Sequence, residues 1–248
     1  MPNQKKKNKT VAIIPAAGTG RRFGIERNKP FYSLKGKPLL IWPLEVLQGL
    51  DEIHEIVPVV KDEDLEITSN LIEQYGIRKV KKIVPGGSER QDSVYNAMKA
   101  LEPDTHIVLI HDGVRPLLDP ALVRKMLFEL STPSLTFKEG GIEGIITGVP
   151  VKDTIKEVKS VYSKNGAGHM FVKKTLKRDA LWAIQTPQIF FYDKLKDVHE
   201  KAKKDKFYAT DDSAMVENYG GVIKIFMGSY KNIKITTVED LKLAEAFL

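Results

Sequence analysis

The chain has no cysteine, which excludes a disulfide framework, a thiolate metal site and a catalytic thiol. No apolar run approaches the roughly 18 residues of a membrane span, and the amino terminus lacks the apolar core of a signal peptide. A cytoplasmic enzyme that meets no membrane is expected. Also missing are the Walker pattern Gly-x4-Gly-Lys-Ser/Thr, a Ser/His/Asp arrangement, a histidine-rich metal motif and a compelling pair of carboxylates. No internal repeat or low-complexity linker divides the sequence. The expected organisation is a disordered basic tail over residues 1–9 and a single domain over residues 10–248. That length suffices for one large α/β core.

What is abundant is positive charge. The formal net charge is +7, and part of it lies in Lys5-Lys6-Lys7. A solvated tail is the preferred reading of that run, ahead of nucleic-acid binding. A basic balance also suits anionic small substrates.

The chain is organised around Val11 to Pro30. Val11-Ala12-Ile13-Ile14 is continuously apolar, as a parallel strand buried on both faces must be. It breaks at Pro15 into Ala-Ala-Gly-Thr-Gly, and Arg21, Arg22 and Lys29 follow. Small residues let backbone N–H groups approach a ligand closely, and donors beside cations suit a polyphosphate. The glycine spacing Gly18-x-Gly20-x3-Gly24 comes close to a dinucleotide fingerprint. However, Arg21 and Arg22 crowd the helix–strand approach, and no acidic residue stands about 20 residues on to hold a ribose.

Further along, a helix is expected from Lys37-Pro38 through Gln48, with Pro43 an irregularity within it. Strands follow at Ile53–Val60 and Val80–Val84, separated by a helix over about 63–75 that ends at Gly76. Ser88 and Gln91 have capping-box spacing for the next helix. Ile107–Ile110 is a buried strand ending at His111-Asp112-Gly113, and Asp119-Pro120 opens a helix through Leu130. Ile142–Val151 is a Gly-interrupted strand. Residues 152–177 read as a basic hairpin arm around Lys164-Asn165-Gly166. Gln185-Thr186-Pro187-Gln188 reads as a turn and Trp182 as core. Helices are then expected at Tyr192–Lys204 and Asp212–Asn218, a strand at Val222–Met227, and a last helix capped by Thr237 and Asp240.

This alternation indicates a doubly wound, mostly parallel sheet with Rossmann-like topology, and ligands beyond the carboxyl ends of its strands. Asp112 then either caps a turn or faces a nucleotide, on its sugar or near a metal on its phosphates. Arg115 holds that loop or meets a phosphate, and His111 is either a packed strand residue or a catalyst. Lys234 is expected to project toward the same face. With cations at the site and no nucleophile or base, phosphoryl or nucleotidyl transfer is the natural reaction class, Mg²⁺ assisting.

The ordered motifs PAAGTGRRFG, GGSERQDSV, HDGVRP, PVKDTIK, RDALWAIQTPQ, ATDDSA and NIKITT span Pro15 to Thr237. In that order and spacing the chain resembles the 2-C-methyl-D-erythritol 4-phosphate cytidylyltransferases over nearly its whole length. The resemblance implies a nucleotidyltransferase fold, a homodimer whose arms embrace, and a reaction of CTP with the sugar phosphate that needs Mg²⁺ or another divalent cation. That metal would be held mainly by the CTP phosphates, near Asp112. The resemblance implies Arg22 and Lys29 as the catalytic pair on the α-phosphate. It further implies Ala16, Ala17, Gly18, Gly87, Ser93, Asp112 and Gly113 as nucleotide contacts, and Thr154, Arg178, Thr186, Thr210 and Lys234 around the sugar phosphate. Some of these, including the threonine and arginine near the arm, come from the partner subunit in that family. Where the family usually has Pro-Lys-Gln-Tyr/Phe, this chain has Asn28-Lys29-Pro30-Phe31, and Lys152 stands where arginine is common.

A sister enzyme acting on ribitol 5-phosphate or another pentitol phosphate shares the glycine loop, QTPQ and NIKITT. Arg178-x-x-Leu-Trp182 and PVKDTIK favour methylerythritol phosphate. A redox enzyme and a basic nucleic-acid-binding module are the readings from other classes.

Overall fold

The structure, a computed structural model, describes residues 9–18, 29–132, 141–162 and 168–248. Arg22, with Gly20, Arg21 and Gly24 of the opening loop, lies outside the described residues, as do Lys164-Asn165-Gly166 and residues 1–8.

Strand β1 (Lys9–Pro15) is the hub, and Lys9, assigned to the tail by composition, is its first residue. Ala12 and Ile14 point into one apolar layer and Val11 and Ile13 into the other. All four are fully buried, which is why the run is continuously apolar. On one side β1 pairs in parallel with β4 (Glu55–Val60), which pairs with the two-residue β5 (Val84–Pro85). On the other side it pairs in parallel with β6 (Thr105–Ile110). Strand β10 (Trp182–Phe191) runs antiparallel between β6 and β7 (Gly144–Pro150), and β11 (Ile223–Met227) closes the edge. The sheet order is β11-β7-β10-β6-β1-β4-β5. The mostly parallel α/β sheet is therefore as expected, with one antiparallel strand inside it.

Helices α1 (Ile41–Gln48) and α4 (Pro120–Ser131) cover one face through Leu44, Leu47, Met126 and Leu130; α2 (Leu65–Gln74) joins them through the half-buried Leu71 and Ile72. Helices α3 (Arg90–Lys99), α5 (Tyr192–Asp205) and α6 (Asp212–Asn218) cover the other through Val94, Met98, Leu195, Val198 and Met215. The last helix, α7 (Val238–Phe247), seals a small third cluster of Leu34, Leu39, Ile235 and Ala244.

Several local expectations shift. Lys37-Pro38 forms the short strand β3, paired with β2 (Ser33–Leu34), and α1 begins only at Ile41. Pro43 thus falls in the first turn, where its missing N–H is not needed. Val80 makes only an isolated bridge to Ile56. The cap of α3 moves from Ser88 to Glu89: Asp92 Oδ2 accepts from Glu89 N (3.1 Å) and from Ser88 Oγ (2.7 Å). Gln91 instead ties α3 to the chain before α6, donating to Phe207 O and accepting from Ala209 N. Gln185–Gln188 is no turn but part of β10, with Thr186 and Pro187 out of the ladder. Trp182, at the exposed start of that strand, is not core.

The arm is a hairpin of β8 (Lys156–Tyr162) and β9 (Gly168–Thr175), closed at its root by Leu176 N donating to Ile155 O at 2.9 Å. Val158, Met170, Phe171 and Val172 stand exposed on it.

Candidate active site

The chain leaves β1 toward β4 on one side and later returns to β6 on the other. The crevice between these two loops is the topological switch point of the sheet, where open α/β folds bind ligands. A cavity of about 640 Å³ lies there. The loop after β1 gives it Ala16, Ala17 and Gly18, the loop before α3 gives Gly87, Ser88 and Glu89, and α3 gives Arg90 and Ser93. Lys29, Lys61, Asp112, Lys234 and Thr236 also line it.

The two small-residue loops are pinned at their roots. Ala16 N donates to Val59 O (2.7 Å) and Gly86 N to Val60 O (2.8 Å), prolonging the β1–β4–β5 ladder. A Cβ on Gly86 would lie 2.5 Å from that of Ala17, so only glycine allows the loops this approach. Ser93 Oγ accepts from Gly87 N at 3.0 Å and lies against Glu89 O at 3.1 Å, so its hydroxyl organises the loop. Lys29 sits in a 3-10 turn with Pro30, which is buried and whose carbonyl accepts from Leu40 N. The proline that departs from the family pattern therefore anchors the turn carrying the lysine.

Asp112 is the electrostatic centre. Its Oδ1 lies 3.5 Å from Arg90 Nε, and its Oδ2 lies 2.9 Å from Lys234 Nζ and 3.4 Å from Arg115 Nε. Burial pushes this carboxyl up, but Arg90, Lys234 and Arg115 together outweigh burial and hold it well below the usual carboxylate range. Arg90 also donates to Asp212 Oδ2 at 2.6 Å. Asp212 is fully buried; burial raises its pKa, and Arg90 and His199 bring it below normal. Arg115 does not reach the cavity: its Nη1 donates to Asn232 O at 2.7 Å, so it holds the loop.

Ala16, Ala17, Gly18, Lys29, Gly87, Ser93, Asp112 and Lys234 thus converge as expected. Gly113 packs behind the wall, where a Cβ would meet Leu40 at 3.0 Å and Ala16 at 3.1 Å. Thr186 lies beneath the floor, its hydroxyl accepting from Asp112 N at 2.9 Å. Thr210 is exposed just before the cap of α6. Thr154 and Arg178 stand at the root of the arm, apart from the cavity wall, and Arg178 Nη1 donates to Lys152 O at 2.8 Å. Sequence reasoning missed Arg90, Lys61 and Asp212. The signal for the first was its place at the opening of a helix, three residues after a double glycine.

Comparison with known proteins gives this geometry a family. The model of the IspD family, 2-C-methyl-D-erythritol 4-phosphate cytidylyltransferase, matches residues 10–248. A cytidylyltransferase of that name from Pelotomaculum thermopropionicum is 43% identical, over 97% of this chain and 94% of its own. One from Clostridioides difficile is 42% identical, over 95% and 92%. Among solved structures, the 4-diphosphocytidyl-2C-methyl-D-erythritol synthase of Anaerococcus prevotii superposes with a TM-score of 0.79 at 31% identity. It covers 97% of this chain and 96% of the other. By sequence over residues 10–248 and by fold, the chain belongs to the 2-C-methyl-D-erythritol 4-phosphate cytidylyltransferase family.

Proposed function

We propose that this protein transfers CMP from CTP to 2-C-methyl-D-erythritol 4-phosphate, releasing pyrophosphate and forming 4-diphosphocytidyl-2-C-methyl-D-erythritol. The observation that carries the reading is the cation-lined cavity at the switch point, in a chain that matches the family over residues 10–248. The same match sets aside the pentitol phosphate alternative.

The acceptor's phosphate oxygen attacks the α-phosphorus of CTP in line, and the bond to the β-phosphate oxygen breaks, its electrons leaving with pyrophosphate. Negative charge builds on the oxygens of the five-coordinate phosphorus. Lys29, at the cavity wall, and Arg22 oppose that charge more strongly than they hold the ground state. Ala17 and Gly18 turn backbone N–H groups to the nucleotide, while Ala16 and Gly87, whose own N–H groups hold Val59 O and Ser93 Oγ, line its seat, with Ser93 bracing the loop, Asp112 closing its far side and Gly113 packed behind. Lys234 and Thr210 serve the sugar-phosphate side, with Thr186 beneath Asp112. Thr154 and Arg178 reach it from the partner's arm in a homodimer. Among the described residues the carboxylates lining the cavity are Glu89 and Asp112, and Asp112 is already matched by cations, too little for an all-protein cage. That donor set fits Mg²⁺ carried in on the triphosphate, where it neutralises phosphate charge when bound. The enzyme works in the cytoplasm; among the described residues no helix is long and apolar enough to cross a membrane.

A panel of ATP, GTP, UTP and CTP with methylerythritol phosphate and Mg²⁺ tests the nucleotide. CTP alone should give rapid pyrophosphate release; equal rates with another triphosphate would refute the assignment.

A further inference from the structure

His111 closes β6 and is fully buried, yet both of its ring nitrogens have partners. Nε2 lies 3.0 Å from Arg115 O and Nδ1 lies 3.2 Å from Thr186 Oγ1. The same Thr186 hydroxyl oxygen accepts from Asp112 N at 2.9 Å. For a neutral ring these contacts admit one arrangement of protons. Arg115 O can only accept, so Nε2 carries the hydrogen. Thr186, having accepted from Asp112 N–H, gives its own proton to Nδ1. The chain of donors runs Asp112 N–H to Thr186 to His111 to Arg115 O, every member satisfied. Burial pulls the ring down to about 4, so the neutral form this arrangement requires is the one present at neutral pH.

The network reaches the other wall of the cavity as well. Asn232 Nδ2 donates to Thr186 O at 2.8 Å, and Arg115 Nη1 donates to Asn232 O. Ile235 N donates to Val114 O at 3.0 Å. The loop bearing Asp112 and the loop bearing Lys234 are thereby locked together beneath the 2.9 Å ion pair that joins them at the surface of the cavity.

We propose that His111 and Thr186 are positioning residues of the transferase site: neither meets substrate, and together they seat Asp112 and, through Asn232, Lys234. This replaces a substrate contact by Thr186 with action through Asp112, and it rests on the cytidylyltransferase reading only for its activity readout.

A double-mutant cycle tests it. Thr186→Val keeps the shape but strands two buried polar groups, and should lower kcat/KM for CTP about tenfold or more. Thr186→Ser should restore it to within about twofold of the parent. In an Asp112→Asn background, Thr186→Val should cost less than about twofold further, because the path it acts through is already broken. An equal loss in both backgrounds, or no loss in the parent, would overturn the proposal. If Thr186→Val does not fold, His111→Gln replaces it in the same cycle, with the same expectation. That variant retains a donor toward Arg115 O and loses the acceptor for Thr186. Independently of activity, two-bond ¹⁵N–¹H correlations of the imidazole in the unmodified protein at neutral pH should show the Nε2–H tautomer. An Nδ1–H or cationic ring would overturn the proposal even in a sample without turnover.

Discussion

Asp112 and Asp212 are two buried carboxylates joined by one guanidinium, that of Arg90. Removing Arg90 leaves Asp212 a buried charge without its closest cation, an error that typically costs 3–5 kcal/mol. Arg90→Ala should therefore lose about 3 kcal/mol in urea unfolding; a loss under about 1 kcal/mol, as for exposed pairs, would contradict the packing described. His111 gives a pH signature. Its folded pKa, about 4, lies below the ordinary 6.5, so the unfolded chain binds the proton first. The stability from keeping the ring neutral is complete above 6.5 and is lost as pH falls toward 4, in total about 3 kcal/mol. Unfolding at stepped pH should show that slope, and His111→Asn should flatten it. At this scale the glycines, Lys29, Asp112 and Lys234 were legible, because cations and small residues after apolar strands have few structural uses. Arg90 was not, since a charge at a helix start reads as solvated. Thr186 was misread because a hydroxyl in a Gln-Thr-Pro-Gln run looks like a surface turn.

Elements were legible where periodicity and caps agreed. Asp119 accepts from Ala121 N at 2.9 Å and Thr237 pairs reciprocally with Asp240, both as their spacing indicates. The cap of α3 slipped by one residue because Asp92 reaches Glu89 N, leaving Gln91 free to tie down the segment before α6. Strand β10 was hidden for a physical reason: Thr186 and Pro187 leave the ladder so that the threonine can turn under Asp112. The contact of Gly86 with the β1 loop yields a prediction at this scale. Gly86→Ala drives a methyl group onto Ala17, and overpacking of this kind costs about 1–3 kcal/mol. The KM for CTP should rise about tenfold with the far-ultraviolet circular dichroism unchanged; an unaltered KM would show that the two loops do not jointly form the nucleotide seat.

For the whole molecule, the alternation of strands and helices disclosed the parallel sheet and the edge at which the cavity opens. The order of strands came only with the structure, because pairing across β10 is non-local. Residues 156–175 hold exposed Val158, Met170, Phe171 and Val172 on a hairpin too thin for its own core. A homodimer in which each arm covers the other's site follows from our reading. Sedimentation should give a dimer at assay concentrations, and an Arg178→Ala chain mixed with a Lys29→Ala chain should recover activity neither has alone. A fully active monomer would contradict a shared site. The central claim is tested most directly by the acceptor. Pyrophosphate release with CTP and Mg²⁺ should give a kcat/KM for 2-C-methyl-D-erythritol 4-phosphate at least about a hundredfold above that for ribitol 5-phosphate, whose longer chain brings one more hydroxyl to be buried unpaired. Equal turnover of the two, or turnover of ribitol 5-phosphate alone, would contradict it.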